Sequence, residues 1–322
     1  MILICDCGST KAEWVVLNGK NVVKRFITNG FNPNFTENET IKNIIVEAKD
    51  IIDNQEFRKI VFYGTGCGSE SNQNKVAMIF AMIFKINDIE VYPDSLGACH
   101  ALLGKNAGIA CILGTGSNAC VYDGEKITES IASLGFMIGD EGSGCHIGKR
   151  IVHDYFLGIM PEDLRNKFDE KYHLDREMFL KRVYQGEQPS RFLAEFAKFA
   201  AENIENQYVK DVVVECFEEF IMSAQRSFRH FERNEVESRN HRHLNEPNQL
   251  IGGDLFAFSE CFRFAQVSIP LRFSRNDKWG FVGSVAFVFK DLLLQVLENH
   301  NIKCSKILKN PMDGLIEYYN TL

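Results

Sequence analysis

A repeated pattern of strands and glycine turns limits the folds open to this chain more than any other feature. The first copy comprises an apolar strand, a glycine turn, a second strand and a hairpin turn: 2–7, Gly8-Ser9-Thr10-Lys11, 14–17 and Asn18-Gly19. The second copy has the same parts in the same order: 109–113, Gly114-Thr115-Gly116-Ser117, 120–122 and Asp123-Gly124. Asn-Gly and Asp-Gly favour tight hairpins, because a type I′ turn needs positive φ at both central residues.

The two glycine turns bring small residues to positions where backbone N–H groups can approach a phosphate closely. One such turn is weak support for any function. Two copies, each at the head of one half of the chain, predict a duplicated fold that holds phosphates between its halves.

Length and composition limit the classes of protein to consider. The 322 residues are 45% hydrophobic and 25% charged, which is enough chain for two domains with separate cores. The net charge of −7 argues against a general nucleic-acid binder, which needs a basic face. The chain opens on a strand instead of a signal peptide, and it has no apolar run near the ~20 residues of a membrane span. Its cysteines fall mostly in apolar segments. We therefore expect a cytoplasmic protein without nucleic-acid or membrane partners.

The spacing of apolar residues predicts a layered α/β organisation. The first half reads βββαβαβα, which implies a sheet that is parallel in part. The second half begins with the second copy and continues as mostly helical sequence up to about residue 227, with a late strand into Gly283-Ser284. We expect one domain of residues 1–104 with the C-terminal helix at 308–322, and another of residues 105–307. Residues 227–278 lose periodicity and predict an insertion.

Two aspartates at strand ends are candidates for chemistry. Asp6 adjoins the first glycine turn, where a carboxylate would repel phosphate unless a cation intervened, so it is a candidate Mg²⁺ ligand or a turn-capping residue. Asp94 lies where a strand meets a helix, which is where open α/β sheets place ligand residues. It could act as a general base or as a helix N-cap, with Ser95 as another candidate cap. Lys11 could supply positive charge or lie in solvent.

Further glycine-rich segments could approach a ligand closely. Residues 135–144 contain four glycines around Asp140 and Glu141, whose carboxylates could bind sugar hydroxyls or a hydrated metal, or form a polar loop. Gly283-Ser284 could let an adenosine approach the backbone, or could be only a turn. A Walker A sequence, a dinucleotide-binding fingerprint and a serine nucleophile elbow are all absent from the sequence.

Together these motifs resemble the actin-like ATPase superfamily, and within it the N-acetylglucosamine kinase and BadF/BadG/BcrA/BcrD ATPase family. The first and second glycine turns are similar to the two phosphate motifs of the family. Gly139-Asp140-Glu141-Gly142-Ser143 resembles its sugar-site loop, and 281–285 resembles its adenosine motif. The resemblance implies a two-domain ribonuclease H-like fold with a mixed sheet and flanking helices in each domain, and ligands in the cleft between them.

The same resemblance implies roles for individual residues. Asp94 would be the catalytic base, and Asp6 would hold Mg²⁺. ATP would lie along three sets of residues, which belong to the first glycine turn, the second glycine turn and the adenosine motif in that order: Gly8, Ser9, Thr10 and Lys11; Gly114, Thr115 and Gly116; and Gly283 and Ser284. The sugar would contact residues from both halves: Asn32, Ser117, Asn118, Gly135, Asp140. The family is often dimeric, so a homodimer is expected.

The sequence favours an ATP-dependent kinase of an amino sugar, with N-acetylglucosamine as first choice, and leaves two alternatives open. One is an ATPase that activates a partner enzyme by driving electrons into it, and the other is a non-catalytic regulator that binds a sugar or nucleotide. Leu134 and Phe136 stand in a stretch where N-acetylglucosamine kinases can carry Trp. The sugar and the hydroxyl that is phosphorylated therefore remain open.

Overall fold

The computed structural model describes residues 1–53, 55–242 and 278–322, with 229–242 described by backbone alone. The first half contains five strands and three helices in this order: β1 (Ile2–Cys7), β2 (Lys11–Asn18), β3 (Asn21–Asn29), α1 (Asn38–Ile51), β4 (Lys59–Gly64), α2 (Glu70–Phe84), β5 (Ile89–Pro93) and α3 (Asp94–Leu103). This is the predicted order βββαβαβα.

The first sheet has the strand order β3-β2-β1-β4-β5. The three-stranded meander is antiparallel, while β1, β4 and β5 run parallel to one another. Gly19 closes the hairpin between β2 and β3 with a φ of 59°, as the Asn-Gly pair predicts. The carboxyl ends of β1, β4 and β5 therefore meet at one edge of the sheet.

The second half repeats this plan around a long helical segment. Its strands and helices are β6 (Gly108–Leu113), β7 (Ser117–Tyr122), β8 (Ile127–Ser130), α4 (Gly135–Ile138), α5 (Gly144–Leu157), α6 (Glu162–Tyr172), α7 (Arg176–Gln185), α8 (Pro189–Glu195), α9 (Ala197–Glu202), α10 (Gln207–Arg242), β9 (Lys278–Val282), α11 (Ser284–Val288), α12 (Lys290–Asn299), β10 (Lys303–Leu308) and α13 (Met312–Tyr319).

The second sheet has the order β8-β7-β6-β9-β10, which matches the first sheet strand for strand. The directions match as well, because β6 to β8 form an antiparallel meander and β6, β9 and β10 are parallel. Gly124 closes the second hairpin with a φ of 104°. The predicted α/β fold with two mixed sheets and flanking helices is confirmed.

Each half buries its own core, and two helices join the halves. On the first sheet, α1 buries the apolar side that its spacing predicts, including Ile41 and Ile45. The helix α3 packs Ala98 and Leu102 against β6 and β9 of the second sheet, although it continues directly from β5 of the first. The C-terminal helix α13 returns to the first sheet, where Met312 lies in a cluster with residues of β1, β2 and β4.

The helix α10 differs from the sequence prediction. It continues to Arg242, so the first part of the predicted aperiodic segment 227–278 is helical backbone, while residues 243–277 lie outside the described residues. Its apolar residues occupy one side up to Phe228, which packs in the second core. Across the described ranges, no helix is long and apolar enough to cross a membrane.

Three smaller predictions also need correction. The strand β10 was not expected, because two lysines and a serine in its sequence KCSKIL leave no apolar run. The spacing of apolar residues predicts a helix over 75–84, but α2 begins at Glu70, because Ser69 caps it by accepting from the Asn72 N–H. Ser95 does not cap α3, since the helix begins at Asp94.

Candidate active site

The first glycine turn projects from the carboxyl end of β1 and is exposed. The Gly8 N–H donates to the Lys11 carbonyl at 3.0 Å, which closes the turn between β1 and β2. Gly30 supports it from behind, because a Cβ at Gly30 would lie 2.0 Å from the Gly8 carbonyl oxygen. The sequence reasoning missed Gly30, although its position directly after the meander was a usable signal.

Asp6 lies in β1 beside this turn, and its carboxylate is partly buried. Burial, followed by repulsion from Asp94 and Glu13, raises the pKa of Asp6 from 3.8 to about 7, although Lys11 acts in the opposite direction. Asp6 lies in β1 and Asp94 follows β5, and both strands run parallel to β4, which lies between them. The structure therefore brings both sequence-predicted aspartates to the edge where β1 and β5 end.

Asp94 is the first residue of α3 and follows β5 directly. Its Oδ1 accepts from the Ser95 N–H at 2.9 Å, and the Thr65 hydroxyl donates to its carboxylate. Burial raises the pKa of Asp94, and these two hydrogen bonds offset the rise in part. A carboxylate with a raised pKa is a stronger base and is suited to accept a proton. The alternative that Asp94 is the N-cap of α3 is wrong, because Pro93 holds that position and Asp94 is the first helical residue.

Thr65 is a site residue that the sequence reasoning missed. It follows β4, and its N–H donates to the Cys7 carbonyl at 3.0 Å, which places it between the ends of β1 and β5. The parallel order β1-β4-β5 puts the residue after β4 next to Asp6 and Asp94. The strand-end signal that selected those two aspartates applies equally to Thr65.

Asn32 lies on the same side of the first half. A Cβ at Gly66 would lie 2.1 Å from Asn32 Oδ1, so the Asn32 side chain packs closely on the loop that carries Thr65. Its Oδ1 also accepts from the Asn34 N–H at 3.0 Å. The preceding Phe31 N–H donates to Cys7 Sγ at 3.4 Å, which fixes the loop to the end of β1.

The second glycine turn is fixed to the helix that follows the sugar-loop motif. The Gly114 N–H donates to the Gly116 carbonyl at 3.0 Å. The Gly144 N–H donates to the Gly114 carbonyl at 2.8 Å, and the Cys145 N–H donates to the Thr115 carbonyl at 3.1 Å. The first turn of α5 is therefore hydrogen-bonded directly to the second glycine turn.

Asp140 completes the support of the second turn. It adopts a φ of 61°, and its Oδ1 accepts from the Ser117 N–H at 3.1 Å. A Cβ at Gly116 would lie 2.9 Å from the same oxygen, so only glycine fits there without displacement. The Ser117 Oγ is buried and has no hydrogen-bond partner within the described residues. An unpartnered buried hydroxyl is a sign of a group that a ligand would satisfy.

The other two residues predicted to contact the sugar in this half, Asn118 and Gly135, make their hydrogen bonds to residues other than Asp140. Asn118 follows Ser117 in β7, and its Oδ1 accepts from the Ser130 Oγ at 3.4 Å. Gly135 begins α4 with a φ of 71° and is exposed, and its carbonyl accepts from the Gly139 N–H. Gly135 therefore reaches the sugar-site loop through Gly139, the residue before Asp140.

A pocket of about 320 Å³ opens beside the second turn, and six of its lining residues are Gly114, Thr115, Arg191, Lys198, Ser284 and Val285. Gly283 holds the last two in place, because it adopts a φ of 129° and a Cβ there would lie 2.1 Å from the Leu113 carbonyl oxygen. The predicted adenosine motif therefore lies next to the second glycine turn.

The helices α8 and α9 supply the opposite wall of this pocket, which the sequence reasoning missed. Arg191, Ala194, Lys198 and Ala201 line it at helical spacing. Arg191 also contacts the first half, because its Nη1 lies 3.5 Å from the Thr10 Oγ1. The spacing of these residues was a signal, but the neighbouring Phe192 and Phe196 made the segment resemble an ordinary core helix.

The carboxylates of the first half fit a magnesium ion that also binds phosphate. Within the described residues, no group of three or more His, Cys, Asp or Glu side chains could hold a metal. Mg²⁺ is usually held by one or two carboxylates together with substrate phosphates. Asp6, with Asp94 at the same edge of the sheet, offers the carboxylate part of such a site beside the exposed first turn.

The sequence model of the BadF/BadG/BcrA/BcrD ATPase family matches residues 5–217. The chain belongs to this family. The match includes both glycine turns, Asp6, Asp94 and the sugar-loop motif, and it ends within α10, before the adenosine motif. Among proteins with curated descriptions, none matches the sequence.

Solved structures place this member of the family among proteins with the same fold. A candidate N-acetylglucosamine kinase from Porphyromonas gingivalis is 30% identical, with a TM-score of 0.82 over 100% of this chain and 99% of that one. Another candidate N-acetylglucosamine kinase, from Chromobacterium violaceum, is 11% identical with a TM-score of 0.65 over 99% and 98%. The ethanolamine utilization protein EutJ from Carboxydothermus hydrogenoformans is 12% identical with a TM-score of 0.52 over 99% and 88%. The last two likenesses show the fold alone.

Proposed function

We propose that this chain is an ATP-dependent kinase that phosphorylates a hydroxyl of an amino sugar, with N-acetylglucosamine as first choice. The observation that carries the proposal is the position of Asp94. It lies beside Asp6 at the ends of parallel strands, accepts a hydrogen bond from Thr65 and has a raised pKa. The similarity to a candidate N-acetylglucosamine kinase from Porphyromonas gingivalis supports the choice of sugar.

The reaction transfers one phosphoryl group with little covalent work for the protein. The oxygen of the sugar hydroxyl bonds to the γ-phosphorus of ATP, and the bond from that phosphorus to the β,γ-bridging oxygen breaks. Asp94 accepts the hydroxyl proton, and ADP leaves with the bridging oxygen. The Thr65 hydroxyl holds the Asp94 carboxylate in position by its hydrogen bond. Positioning and charge stabilisation supply the rate enhancement.

ATP would lie between the two glycine turns. The exposed backbone of Gly8, Ser9 and Thr10, with Lys11, faces the phosphates from one side, and 114–116 faces them from the other. Gly283 and Ser284 would lie along the adenosine. Asp6 would hold Mg²⁺, which when bound neutralises charge on the phosphate oxygens.

The sugar would lie between Asn32 of the first half and the Asp140 loop of the second. The Ser117 Oγ, which is buried without a protein partner in the described part, would bond to a sugar hydroxyl. Asp140 uses Oδ1 for the Ser117 N–H and can accept a sugar hydroxyl at Oδ2. Asn118 and Gly135 would complete the sugar site at its rim.

The cysteines offer a way to separate this kinase from an ATPase that activates a partner through an iron–sulfur cluster. Eight of the nine cysteines in the described part are buried: Cys5, Cys7, Cys67, Cys99, Cys111, Cys120, Cys145 and Cys216. Cluster ligands shared between subunits must lie at a surface. Cys261 lies outside the described residues, so an anaerobic absorption spectrum is the direct test, and a visible cluster band would favour the activator.

The test of the proposal is incubation with Mg-ATP and a panel of hexoses, amino sugars and N-acetylated amino sugars. We expect ADP release to depend on one amino sugar, with one sugar phosphate formed for each ADP and detected by ³¹P NMR. ADP release that no sugar stimulates would contradict the kinase and favour the activator or the regulator. The predicted homodimer can be tested on the same sample by sedimentation.

A further inference from the structure

One arginine of the second half extends across the cleft toward the first glycine turn. Arg191 lies in α8, and its Nη1 is 3.5 Å from the Oγ1 of Thr10 in that turn. The same side chain lines the pocket beside Gly114 and Thr115 of the second turn. A single side chain therefore contacts the first turn and lines the pocket beside the second, the two turns that would hold the triphosphate.

The charge of Arg191 has no carboxylate partner within the described residues. Its other polar neighbour there is Gln188, whose Oε1 also lies 3.5 Å from Nη1. Both distances are at the long limit of a hydrogen bond, and the side chain is exposed. Arg25, by contrast, pairs with Glu13 and Asp313 at 2.6 Å each. Arg191 is thus a cation held near the cleft without an ion pair that explains its position.

The position of Arg191 is set by the packing of its helix. Phe192, the next residue, is buried in the second core, and Leu193 after it is buried as well. A Cβ at Gly148 in α5 would lie 1.9 Å from the Leu193 carbonyl oxygen, so α8 lies directly against α5. The first turn of α5 is in turn bonded to the second glycine turn. Arg191 therefore projects from a helix that is fixed relative to that turn.

We propose that Arg191 binds the terminal phosphates of ATP and stabilises the charge that develops during transfer, a role that rests on the proposed kinase function. On binding, its bonds to Thr10 and Gln188 would be replaced by charge-assisted bonds to phosphate oxygens. A guanidinium can donate two parallel hydrogen bonds to a phosphate, and cations at a transferring phosphoryl group contribute strongly to rate. The residue would also couple ATP to both halves of the molecule.

The first test measures binding rather than turnover. Arg191→Ala and Arg191→Lys are compared with wild type for the affinity of Mg-ATP and of AMP by calorimetry. We expect Arg191→Ala to weaken Mg-ATP about tenfold or more and AMP less than about twofold, because charge-assisted bonds to the terminal phosphates are lost. Lysine keeps the charge without the bidentate geometry, so the affinity of Arg191→Lys for Mg-ATP should lie between those of wild type and Arg191→Ala. Arg176→Ala, an exposed arginine that begins α7, is the matched control.

The second test measures kcat with the best sugar of the panel, where Arg191→Ala should lose about 10²-fold. If Arg191→Ala binds Mg-ATP within twofold of wild type, or loses equal affinity for Mg-ATP and AMP, the proposed phosphate contact is overturned. An unchanged kcat would overturn the role in transfer. If wild type binds Mg-ATP but phosphorylates no sugar, the proposed function fails while the binding comparison still decides whether Arg191 contacts the phosphates.

Discussion

The two glycine turns occupy the same place in two matching sheets, yet they are supported in different ways. The first is exposed and closed by one bond from Gly8 to Lys11, with Gly30 packed behind it. The second is bonded to the first turn of α5 and, through Ser117, to Asp140. The repeated strand order thus determines where the turns lie, while the segments packed against each turn determine how firmly it is held.

This difference suggests a division of roles between the halves. The first turn adjoins Asp6 and Asp94, and carboxylates with raised pKa values are typical of residues that take part in catalysis. The second turn is part of a fixed framework that includes the Asp140 loop, and such a framework is suited to orient a ligand. We therefore expect variants of the first turn to affect chemistry and variants of the second to affect positioning.

The largest expected effect on stability tests the support of the first turn. Gly30→Ala places a Cβ 2.0 Å from the Gly8 carbonyl oxygen. Because backbone must move, the free energy of unfolding should fall by about 2 to 4 kcal/mol in a urea titration. The matched variant Gly8→Ala has its nearest contact at 3.6 Å and should change stability by less than about 1 kcal/mol. Equal effects of the two variants would show that Gly30 does not support the turn.

The next effect tests the framework of the second turn. Asp140→Ala removes the acceptor of the Ser117 N–H and should lower the free energy of unfolding by about 1 to 2 kcal/mol. Asp140→Asn keeps an oxygen at that position and should lose less than half as much. Urea titrations of both variants, without ligand, make the comparison. The framework account predicts this order, and a larger loss for Asn would contradict it.

A third prediction concerns the pH dependence of the first half. The folded-state pKa of Asp6 is raised from 3.8 to about 7, so the folded protein binds this proton more tightly than the unfolded chain does. Stability from this group is present at low pH and is lost as pH rises from about 4 through 7. In metal-free buffer, urea titrations should therefore show a higher free energy of unfolding for Asp6→Asn than for wild type at pH 8, and little difference at pH 4. A gain that is independent of pH would rule out this titration.

The smallest effect concerns the unpartnered hydroxyl of the second turn. Ser117→Ala removes a buried Oγ that has no partner within the described residues, so unliganded stability should change by less than about 1 kcal/mol or rise slightly. The KM for the sugar should rise about tenfold, because the hydrogen bond proposed for the sugar is lost. A stability loss of several kcal/mol without a change in KM would mean that Ser117 serves the fold and not the ligand.

The sequence was sufficient to predict the sheets because their signals are local. The hairpins at Gly19 and Gly124 and the apolar strands around them specify the meanders, and repetition of the pattern gave the matching second half. The strand β10 was missed because it lies beside β9 only after a crossover through α11 and α12. Its sequence KCSKIL has lysines at its first and fourth positions, so it shows neither an apolar run nor a regular alternation.

The site was predictable where residues follow strands and less so where helices contribute. Asp6 and Asp94 lie where parallel strands end, so topology alone brings them together. Thr65 obeys the same rule but is a common turn residue. Arg191 was not found, because its position depends on how α8 packs against α5. Contacts between distant helices have no counterpart in local sequence.

The most direct test of the account is the rate of sugar phosphorylation by Asp94→Asn. This variant keeps the size of the side chain and an oxygen for the Ser95 N–H, but it cannot accept the hydroxyl proton. At saturating Mg-ATP and sugar, we predict that kcat falls by about 10³-fold while the affinity for Mg-ATP stays within about threefold of wild type. Turnover within about tenfold of wild type would contradict the assignment of Asp94 as the general base.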